Sequence, residues 1–439
     1  MSLYGRTRRH RASGPSEGGY HLRQRRRGFE EQLAPRPGGP PFGLLSDHEF
    51  LIDTYHKLRA GGGHAPGPDG VTYGDLGPGE VAIVLREAAL AIRRGDYRPG
   101  PGRKLAIPKT GGGTRTLTIG NIVDRVVAAA VNRALTPYFE ALFLPSSYGF
   151  RPGLGAQDLL ADVMAAMAAH QFTTLAVDDV KKAFDFVPIA PLMETFAEHI
   201  ANESLLQLVE IILRGGEDRG RAAGIPQGSP LSPLALNAYL HHAHDLPLEA
   251  DVTFPPLYRY ADNLVYLCEG VPEGHEALDR VRQLLAHAGL ALKGADGPPI
   301  DLREGGGAKL LGFRLSLRDD RLRLGLGEDA LEEDMARIMI VAHDDPDPHR
   351  AARTGLRGLV ASFGPALGDL TDADIEEILR AAAQHGFREL ASREELTGWC
   401  TTSHARWTGR HTAALGRMGL TGEDDPFVAT PPATVRPGD

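Results

Sequence analysis

Apolar positions recur along the chain with two spacings, one typical of amphipathic helices and one of short strands. From about Asp47 to Arg94 the pattern is helical, with a break at residues 61–70 that is rich in glycine and proline. The elements predicted next are strands at Lys104–Lys109 and Thr114–Ile119, a helix at Ile122–Leu135, a strand at Thr173–Val177, helices at Ile189–His199 and Leu205–Leu213, strands at Leu257–Tyr260 and Leu264–Cys268, a helix at His275–Ala288 and a strand at Lys309–Ser316. After about residue 325 the predicted helices are Leu331–Ala342, Ala351–Phe363, Asp372–His385 and Glu394–Leu420.

The order of these elements indicates the fold class. Between residues 173 and 316 the order strand, helices, hairpin, helix, strand is that of a split βαβ sheet, which predicts an α+β protein. A chain of 439 residues is too long for one compact core, so two or three lobes are expected. Residues 1–40 have little apolar periodicity, and we predict that they are mostly disordered.

Charge is distributed unevenly along the chain. The net charge is −9, but residues 1–40 hold nine arginines and three acids, a net charge of +6, which leaves −15 for the remainder. This arginine-rich segment is either a contact for nucleic-acid phosphates or a solvated tail without a dedicated role. A nucleic-acid-binding protein needs a local basic groove, so the acidic total does not exclude one.

Cysteine content and hydropathy exclude two classes of protein. Only Cys268 and Cys400 occur, which is too few for a disulfide framework or a cysteine-rich zinc site. No segment approaches the ~20 consecutive apolar residues of a membrane span, and the N-terminus lacks the apolar core of a signal peptide. We therefore expect a cytoplasmic protein with reduced thiols and no membrane partner.

Carboxylates follow two of the predicted strands. Asp178 and Asp179 close one apolar strand, and Asp262 lies at the tip of the apolar hairpin. Two acids at neighbouring strand ends suit Mg²⁺, which prefers oxygen ligands. Enzymes that make phosphodiester bonds use such a pair to hold two divalent cations about 3.5–4 Å apart. Taken separately, either acid is more typical of a turn residue, since aspartate is common at strand ends.

The surroundings of these acids carry a resemblance. The segments Asp179–Asp185 (DVKKAFD), Gly224–Pro233 (GIPQGSPLSP) and Tyr260–Asn263 (YADN) follow one another as the core motifs of reverse transcriptases do. Upstream and downstream segments match the same family in the same order: APGPDG at 65–70, IPK at 107–109 with Arg115, Asp124–Arg125, YGFRP at 148–152 and LGF at 311–313. The chain resembles bacterial group II intron-type reverse transcriptases and their CRISPR-associated relatives over residues 60–315.

The resemblance implies a right-hand polymerase with fingers, a ferredoxin-like palm and a helical thumb. The lobes implied are a disordered tail at 1–45, fingers at 46–170 including the start of the palm, palm at 171–320, thumb at 321–425 and a second disordered tail at 426–439.

Roles for individual residues are implied in the same way. Asp179 and Asp262 would hold Mg²⁺ or Mn²⁺, with the Val180 carbonyl as a further oxygen ligand. Lys109 and Arg115, on a predicted hairpin, would fold over the triphosphate of the incoming nucleotide and neutralise its charge.

Gln227 and Gly228 would contact the sugar and phosphates of that nucleotide, because a Gly/Pro-rich segment lets the backbone approach closely. Phe184 stands where this family carries an aromatic residue that clashes with a ribose 2′-hydroxyl, which favours deoxynucleotides. Phe184 also suits a hydrophobic core, and the two uses are compatible.

The chain departs from the family pattern at two places. Asn263 stands where relatives have a second aspartate, which keeps an oxygen ligand but removes a charge. After the hairpin, Leu292–Ile300 (LKGADGPPI) offers no matching lysine unless Lys293 is shifted into that place. Together, these departures leave open whether the enzyme is fully active, slowed, specialised or inactive.

The run His343–His349 and the two tryptophans each allow two interpretations. The run His343–His349 (HDDPDPH) has the composition of a metal cluster, but its prolines favour an exposed acidic loop. Trp399 and Trp407 could stack on template bases, although packing within a helical thumb is the favoured use.

The function predicted first is that of an RNA-directed DNA polymerase using an RNA template, a primer and dNTPs. Two alternatives stay open: untemplated or self-primed DNA synthesis in phage defence, and a non-catalytic, maturase-like RNA-binding protein. A structured non-coding RNA is a possible partner. The sequence does not distinguish intron mobility, spacer acquisition and defence, because one site can serve all three.

Overall fold

The computed structural model describes residues 28–61, 65–108, 114–216, 220–294, 297–327, 330–343, 345, 347–368 and 371–421. By their contacts the residues divide into two compact units, each discontinuous in sequence. Unit 1 comprises residues 1–105, 116–142 and 189–232, and unit 2 comprises residues 106–115, 143–188 and 233–439. Both units mix helices with strands or strand segments, as an α+β chain should.

The α-helices in chain order are α1 (Phe42–Leu45), α2 (His48–Gly61), α3 (Pro78–Arg94), α4 (Ile122–Glu140), α5 (Ala156–His170), α6 (Ala183–Phe186), α7 (Ile189–His199), α8 (Glu203–Arg214), α9 (Ser232–Leu240), α10 (Leu246–Glu249), α11 (Val271–His287), α12 (Ala330–His343), α13 (Pro348–Ser362), α14 (Asp372–Gln384) and α15 (Arg393–Arg417). The strands are β1 (Arg103–Pro108), β2 (Thr114–Ile119), β3 (Thr174–Asp179), β4 (Leu257–Tyr260), β5 (Asn263–Cys268), β6 (Ile300–Asp301), β7 (Gly307–Leu310), β8 (Phe313–Arg318) and β9 (Arg321–Leu326).

Most of the predicted elements are confirmed within a few residues. Helix α8 shows why: Asn202 caps it by accepting the Leu205 N–H at 2.9 Å, and Leu205, Leu208 and Ile212 bury one face. Helices α5 and α9 were not predicted. Helix α5 buries alanines, leucines and methionines around most of its circumference, so the sequence carries no clear polar face to reveal the helical period.

The predicted N-terminal disorder is wrong for residues 28–45. Residues 28–33 are helical, and the Phe29 ring packs edge-on against Phe50 at 5.3 Å between centroids. Leu33, Leu44 and Leu45 are buried as well. Apolar residues spaced among arginines and prolines thus anchor this segment on α2. Residues 1–27 lie outside the described part of the chain.

A four-stranded antiparallel sheet of order β4-β5-β3-β6 forms in unit 2. Along the chain, helices separate β3 from β4, and α11 separates β5 from β6, so the connectivity is β-α-β-β-α-β, as predicted. Leu175, Val265 and Leu267 from this sheet pack with α5 and with Trp407 of α15 in one hydrophobic core. Helix α5, at the end of the predicted fingers segment, therefore packs in unit 2. The fingers, palm and thumb boundaries stay a prediction.

The strand predicted at Lys309–Ser316 is two strands, and β9 was missed. Leu311 (φ +51°) and Gly312 (φ +86°) turn the chain between β7 and β8, and a second turn at Asp319 (φ +50°) and Asp320 (φ +56°) leads into β9. The result is a three-stranded sheet of order β7-β8-β9. Glycine and aspartate tolerate the left-handed region at these turns. Neither Leu311-Gly312 nor Asp319-Asp320, however, is a dipeptide that strongly signals a hairpin.

The four predicted C-terminal helices are present as α12 to α15. They share a core that includes Met335, Leu356 and Leu396, while Trp407 joins the core of the β3 sheet. Trp399 is half-buried beneath the guanidinium of Arg353. Both tryptophans thus take part in packing. Among the described residues no helix is long and apolar enough to cross a membrane.

Candidate active site

Strand β3 and the β4–β5 hairpin bring the two predicted carboxylates to neighbouring strand ends in unit 2. Asp179 lies opposite Asn263 in the antiparallel register of β3 and β5. One residue on, the Val180 N–H donates to the Asp262 carbonyl at 2.8 Å, which fixes the hairpin tip to the end of β3. Asp179 and Asp262 are half-buried. The sheet holds their backbones, and both residues keep part of their surface exposed.

The hairpin tip has a strained backbone that other residues stabilise. Ala261 adopts φ +55°, in the left-handed region that a residue with a Cβ rarely enters. Gly149 packs directly against it: a Cβ on Gly149 would overlap the backbone nitrogen of Ala261. This close contact therefore requires glycine at position 149, which the quoted YGFRP segment did not reveal.

A buried arginine supports the same turn from inside. Arg259 is 0% exposed, and its guanidinium donates to the Ala261 carbonyl at 3.1 Å and to Asn237 Oδ1 at 2.8 Å. Asn237 in turn donates to the Gly149 carbonyl at 2.6 Å. The side chain of Arg259 thus connects the hairpin, helix α9 and the loop that carries Gly149.

The charge of Arg259 is balanced by Asp245, which is also 0% exposed. The two form a bidentate pair, with Nε–Oδ1 at 2.8 Å and Nη2–Oδ2 at 2.5 Å. Burial alone would raise the pKa of Asp245, but the guanidinium and contacts with His241 and His244 hold that pKa well below its usual value. Asp245 therefore stays ionised in the core.

His244 extends this network to strand β5. Its Nδ1 lies 2.8 Å from Asp245 Oδ1, and its Nε2 lies 2.6 Å from the Tyr266 hydroxyl. Burial and the charge of Asp245 raise the pKa of Tyr266 well above its usual value, so the phenol stays protonated. Residues 241–245 form a π-helical turn, which places His241 and His244 together beside Asp245. Sequence analysis missed Arg259, Asp245 and His244.

The adjacent acids Asp178 and Asp179 have different surroundings. Asp178 is buried, and its carboxylate accepts the N–H groups of Asp179 at 2.8 Å and Gly294 at 3.0 Å. Asp179 points to the accessible side, where Lys293 Nζ lies 2.9 Å from its Oδ2. Asp178 therefore ties the segment after α11 to β3, and Asp179 remains the candidate ligand.

Lys293 occupies the place that the sequence left open. Its N–H donates to the Asp179 carbonyl at 2.7 Å, and the Lys181 N–H donates to Ala291 at 2.8 Å. Residues 179–181 and 291–293 thus pair in an antiparallel manner, with a β-bridge between Val180 and Leu292. A shifted Lys293 therefore reaches the carboxylate site, although its motif does not match that of relatives.

Asn263 keeps its side chain close to the hairpin. Its Nδ2 donates to the Tyr260 carbonyl at 3.4 Å, a long hydrogen bond within the turn. An aspartate at this position could not donate to that carbonyl. The substitution therefore removes a charge from the site and adds a weak contact within the hairpin.

Phe184 lies on the short helix α6, just after Asp179. It is half-buried and meets the ring of Phe150 edge-on, with centroids 6.2 Å apart. Phe150 is 53% exposed and has φ +59°, so the loop after Gly149 presents an aromatic ring at the surface. The structure thus places Phe184, Asp179 and Asp262 in one unit.

The structure does not describe the remaining predicted residues together with the carboxylates. Gln227 and Gly228 belong to unit 1, where the Gln227 carbonyl accepts the Thr118 N–H at 2.6 Å and Gly228 packs on β2 with φ +109°. Lys109 lies outside the described residues. Arg115 is on strand β2, and its side chain lies outside the described part.

The cluster considered at His343–His349 connects two helices. His343 Nε2 contacts the His385 carbonyl at 2.9 Å, and the Asp347 side chain caps α13 by accepting the Arg350 N–H. Each of these side chains therefore has a structural partner, in keeping with the preferred loop interpretation.

Residues 107–295 match the protein family described as reverse transcriptase (RNA-dependent DNA polymerase). This range contains Asp179, Asp262, Lys293 and the supporting network. The chain therefore contains a reverse transcriptase domain, which spans somewhat less than half of its length.

Individual relatives are intron proteins and bacterial proteins. The chain is 31% identical over 206 residues to an uncharacterized 91 kDa protein in the cob intron of Schizosaccharomyces pombe, covering 45% of this chain and 24% of that protein. It is 30% identical over 207 residues to protein YkfC of Escherichia coli, covering 45% and 54%. It is 26% identical over 186 residues to the group II intron-encoded protein LtrA of Lactococcus lactis, covering 41% and 31%. The chain thus spans between 24% and 54% of the length of these relatives.

The contact between Gly149 and Ala261 generates a first prediction. A Gly149→Ala substitution should lower the free energy of unfolding by about 1–3 kcal/mol, because the added methyl group must displace the hairpin tip. Hydrogen exchange at the Val180 amide should accelerate, since its acceptor is the Asp262 carbonyl. Urea denaturation and amide exchange measure the two effects.

The control is Gly398→Ala in the interior of α15, where nothing lies within 4 Å of the added Cβ. This variant should be as stable as the wild type or up to about 1 kcal/mol more stable. Equal behaviour of the two variants would contradict the proposed packing at Gly149.

The buried ion pair generates a second prediction. Asp245→Leu or Arg259→Met alone should each destabilise the fold by about 3–5 kcal/mol, because each leaves an uncompensated buried charge. The double variant should be more stable than either single variant, since it removes both charges. Urea denaturation of all three variants measures the difference. A double variant whose loss equals the sum of the single losses would rule out direct coupling.

Proposed function

We propose that this protein is an RNA-directed DNA polymerase that extends a primer with dNTPs by nucleotidyl transfer. The observation that carries the proposal is the fixed pair Asp179 and Asp262, at neighbouring strand ends within a reverse transcriptase domain. In this proposal the β4-β5-β3-β6 sheet is the palm. Residues 46–170 supply the fingers and the palm's beginning, and residues 321–425 supply the thumb.

The donor set fits Mg²⁺ or Mn²⁺. Such ions are held by one or two carboxylates together with substrate phosphates. This site offers two partly exposed aspartates, Asp179 at the end of β3 and Asp262 at the tip of the β4–β5 hairpin. The Asp179 carbonyl already accepts the Lys293 N–H, which favours the Val180 carbonyl as the additional oxygen ligand. The bound ions would activate the primer hydroxyl and offset charge on the triphosphate.

Lys293 places a positive charge beside Asp179. With Nζ 2.9 Å from the carboxylate, it offsets part of the negative charge that the two aspartates concentrate. We assign to Lys293 the part that the resemblance gives to a lysine after the hairpin: ordering the site and donating a proton towards the leaving pyrophosphate.

Other residues would select and hold the nucleotide. Lys109 and Arg115 neutralise the triphosphate, and Gln227 with Gly228 contacts its sugar and phosphates. Phe184, steadied by Phe150, blocks a 2′-hydroxyl and so favours dNTPs over rNTPs.

A third prediction tests the proposed chemistry. Purified protein should extend oligo(dT) on poly(rA) with dTTP and Mg²⁺, and should use UTP far less. Asp179→Asn and Asp262→Asn should each reduce extension roughly a thousandfold or more, because each removes a charged ligand, an effect of several kcal/mol. Incorporated label per unit time measures the effect.

The matched control is Asp279→Asn, which removes an exposed carboxylate on α11 that pairs with Arg282. Its extension rate should equal that of the wild type. Failure of the wild type and of an Asn263→Asp variant to extend the primer in Mg²⁺ or Mn²⁺ would refute the polymerase.

A fourth prediction concerns Lys293. Lys293→Gln should lower kcat about tenfold to a hundredfold with little change in the KM for dTTP, since loss of a positioned acid slows the chemical step. Lys57→Gln, which removes an exposed lysine of α2, is the control and should leave both constants unchanged. An unchanged kcat in Lys293→Gln would refute its role in the chemical step.

Asn263 favours a second candidate function, a non-catalytic RNA-binding protein of the maturase type. One relative is described as a nuclear intron maturase, from Arabidopsis thaliana. This candidate predicts salt-sensitive RNA binding that survives Asp179→Asn and Asp262→Asn together, with no extension by the wild type. Extension that both substitutions abolish would exclude it. DNA made without added template would instead indicate untemplated or self-primed synthesis.

A further inference from the structure

The sheet β7-β8-β9 has two chemically opposite faces. Its apolar face packs on the core of unit 2, which also holds β3, β5 and α5. The residues of that face are Ala308, Leu310, Phe313, Leu315, Leu317, Leu322 and Leu324. Since side chains alternate along a strand, the remaining positions form the outer face.

The strand register defines this outer face, which we term the cationic face. Its residues are Gly307 and Lys309 on β7, Arg314, Ser316 and Arg318 on β8, and Arg321, Arg323 and Gly325 on β9. Lys309 lies opposite Arg314, and Arg318 lies opposite Arg321. Five of these eight positions are cations, and none is acidic or aromatic. A Cβ on Gly307 would overlap the Arg314 side chain, so this glycine leaves room for the arginine to lie across β7.

Such a face is unfavourable for the folded sheet by itself. Like charges directly opposite each other on antiparallel strands are destabilising, and Arg318 and Arg321 are such a pair. Charges on edge strands discourage unwanted strand pairing, which could explain the cations of β7 and β9. That explanation does not extend to Arg314 and Arg318, because β8 is the central strand.

The charges are also accessible. Lys309, Arg314 and Arg318 are exposed, and Arg321 is half-exposed. Lys309, Arg318 and Arg321 make no ion pair with any residue that the structure describes. The acids Asp319 and Asp320 lie in the turn between β8 and β9, outside the face positions.

We infer that the cationic face binds the phosphate backbone of a double-stranded RNA segment. The inference rests on the proposed function for the nature of the nucleic acid. Five cations on one face of a sheet complement a polyanion, and phosphate contacts of this kind are independent of sequence. Because the face lacks aromatic side chains on which free bases stack, it suits RNA whose bases are already paired.

Binding of a fully paired RNA hairpin, measured without dNTPs and divalent ions over a range of salt concentrations, tests the inference. The variant is Lys309→Gln/Arg318→Gln/Arg321→Gln. The control is Arg282→Gln/Arg350→Gln/Arg388→Gln, which removes the same charge from exposed arginines of the same unit. The variant should bind at least about tenfold more weakly at 0.1 M salt, with the slope of log K against log salt reduced by about three.

The melting temperature separates binding from folding. The variant should melt no lower than the wild type, because the Arg318–Arg321 repulsion is removed. Should the triple variant unfold, the single variant Arg318→Gln is measured instead and should reduce the slope by about one. RNA binding equal to that of the control overturns the inference. An equal loss of binding to a DNA hairpin of the same sequence also overturns it, in favour of nucleic acid in general.

Extension on poly(rA)/oligo(dT) by the same preparations distinguishes the two proposals. If the wild type extends the primer and the variant binds the hairpin as the control does, only the inference about the cationic face is overturned. A wild type that does not extend, together with the predicted loss of hairpin binding, overturns the polymerase and leaves the face supported.

Discussion

The candidate site depends on one buried ion pair. Arg259 and Asp245 are both completely buried. The Arg259 guanidinium also donates to Asn237 and to the Ala261 carbonyl, and so holds a strained turn one residue before Asp262. Burying two charges is unfavourable unless the geometry satisfies every polar group, and here the carboxylate is bidentate and also meets His244. An apolar core could be equally stable, but it would leave the Ala261 carbonyl without this donor. The pair therefore stabilises one particular conformation of the hairpin.

The charge that the site offers to cations depends on which side chains this conformation leaves at the surface. Asp178 is buried and its carboxylate accepts two backbone N–H groups, so the carboxylates that a cation can reach are those of Asp179 and Asp262. Lys293 offsets part of it, and Asn263 contributes none where relatives have an aspartate. The site is thus less negative than the family pattern implies, which lowers its attraction for divalent ions. A slowed or specialised enzyme would have its physical basis in this balance.

The sequence predicted the parts of the site that depend on local order. Asp179 and Asp262 were found because each ends an apolar strand, and antiparallel pairing then brings such ends together. Arg259 and Asp245 were not found, because nothing near either residue in the sequence indicates that two charges will pair inside a core. Lys293 illustrates the intermediate case: its position was suspected, but only the backbone contact between Asp179 and Lys293 determines which residue reaches the carboxylate.

The same distinction applies to the fold. Amphipathic helices such as α8 were predicted because one face is buried and the other is not. Helix α5, buried on most sides, has no such contrast. The division of Lys309–Ser316 into two strands depends on left-handed backbone at Leu311 and Gly312, which permits a tight turn but does not require one. Tertiary contacts therefore decide whether a helix is buried on all sides and whether a permitted turn forms.

Net charge shows why local placement matters more than totals. Apart from its first 40 residues the chain carries −15, yet many exposed acids are paired with arginines close in sequence, as in Asp279 with Arg282 and Asp334 with Arg337. Charges further apart than about 8–10 Å are largely screened at physiological salt. One sheet face can therefore attract phosphates while the molecule as a whole is acidic. The cations of β7, β8 and β9 act within that range, and the distant acids do not cancel them.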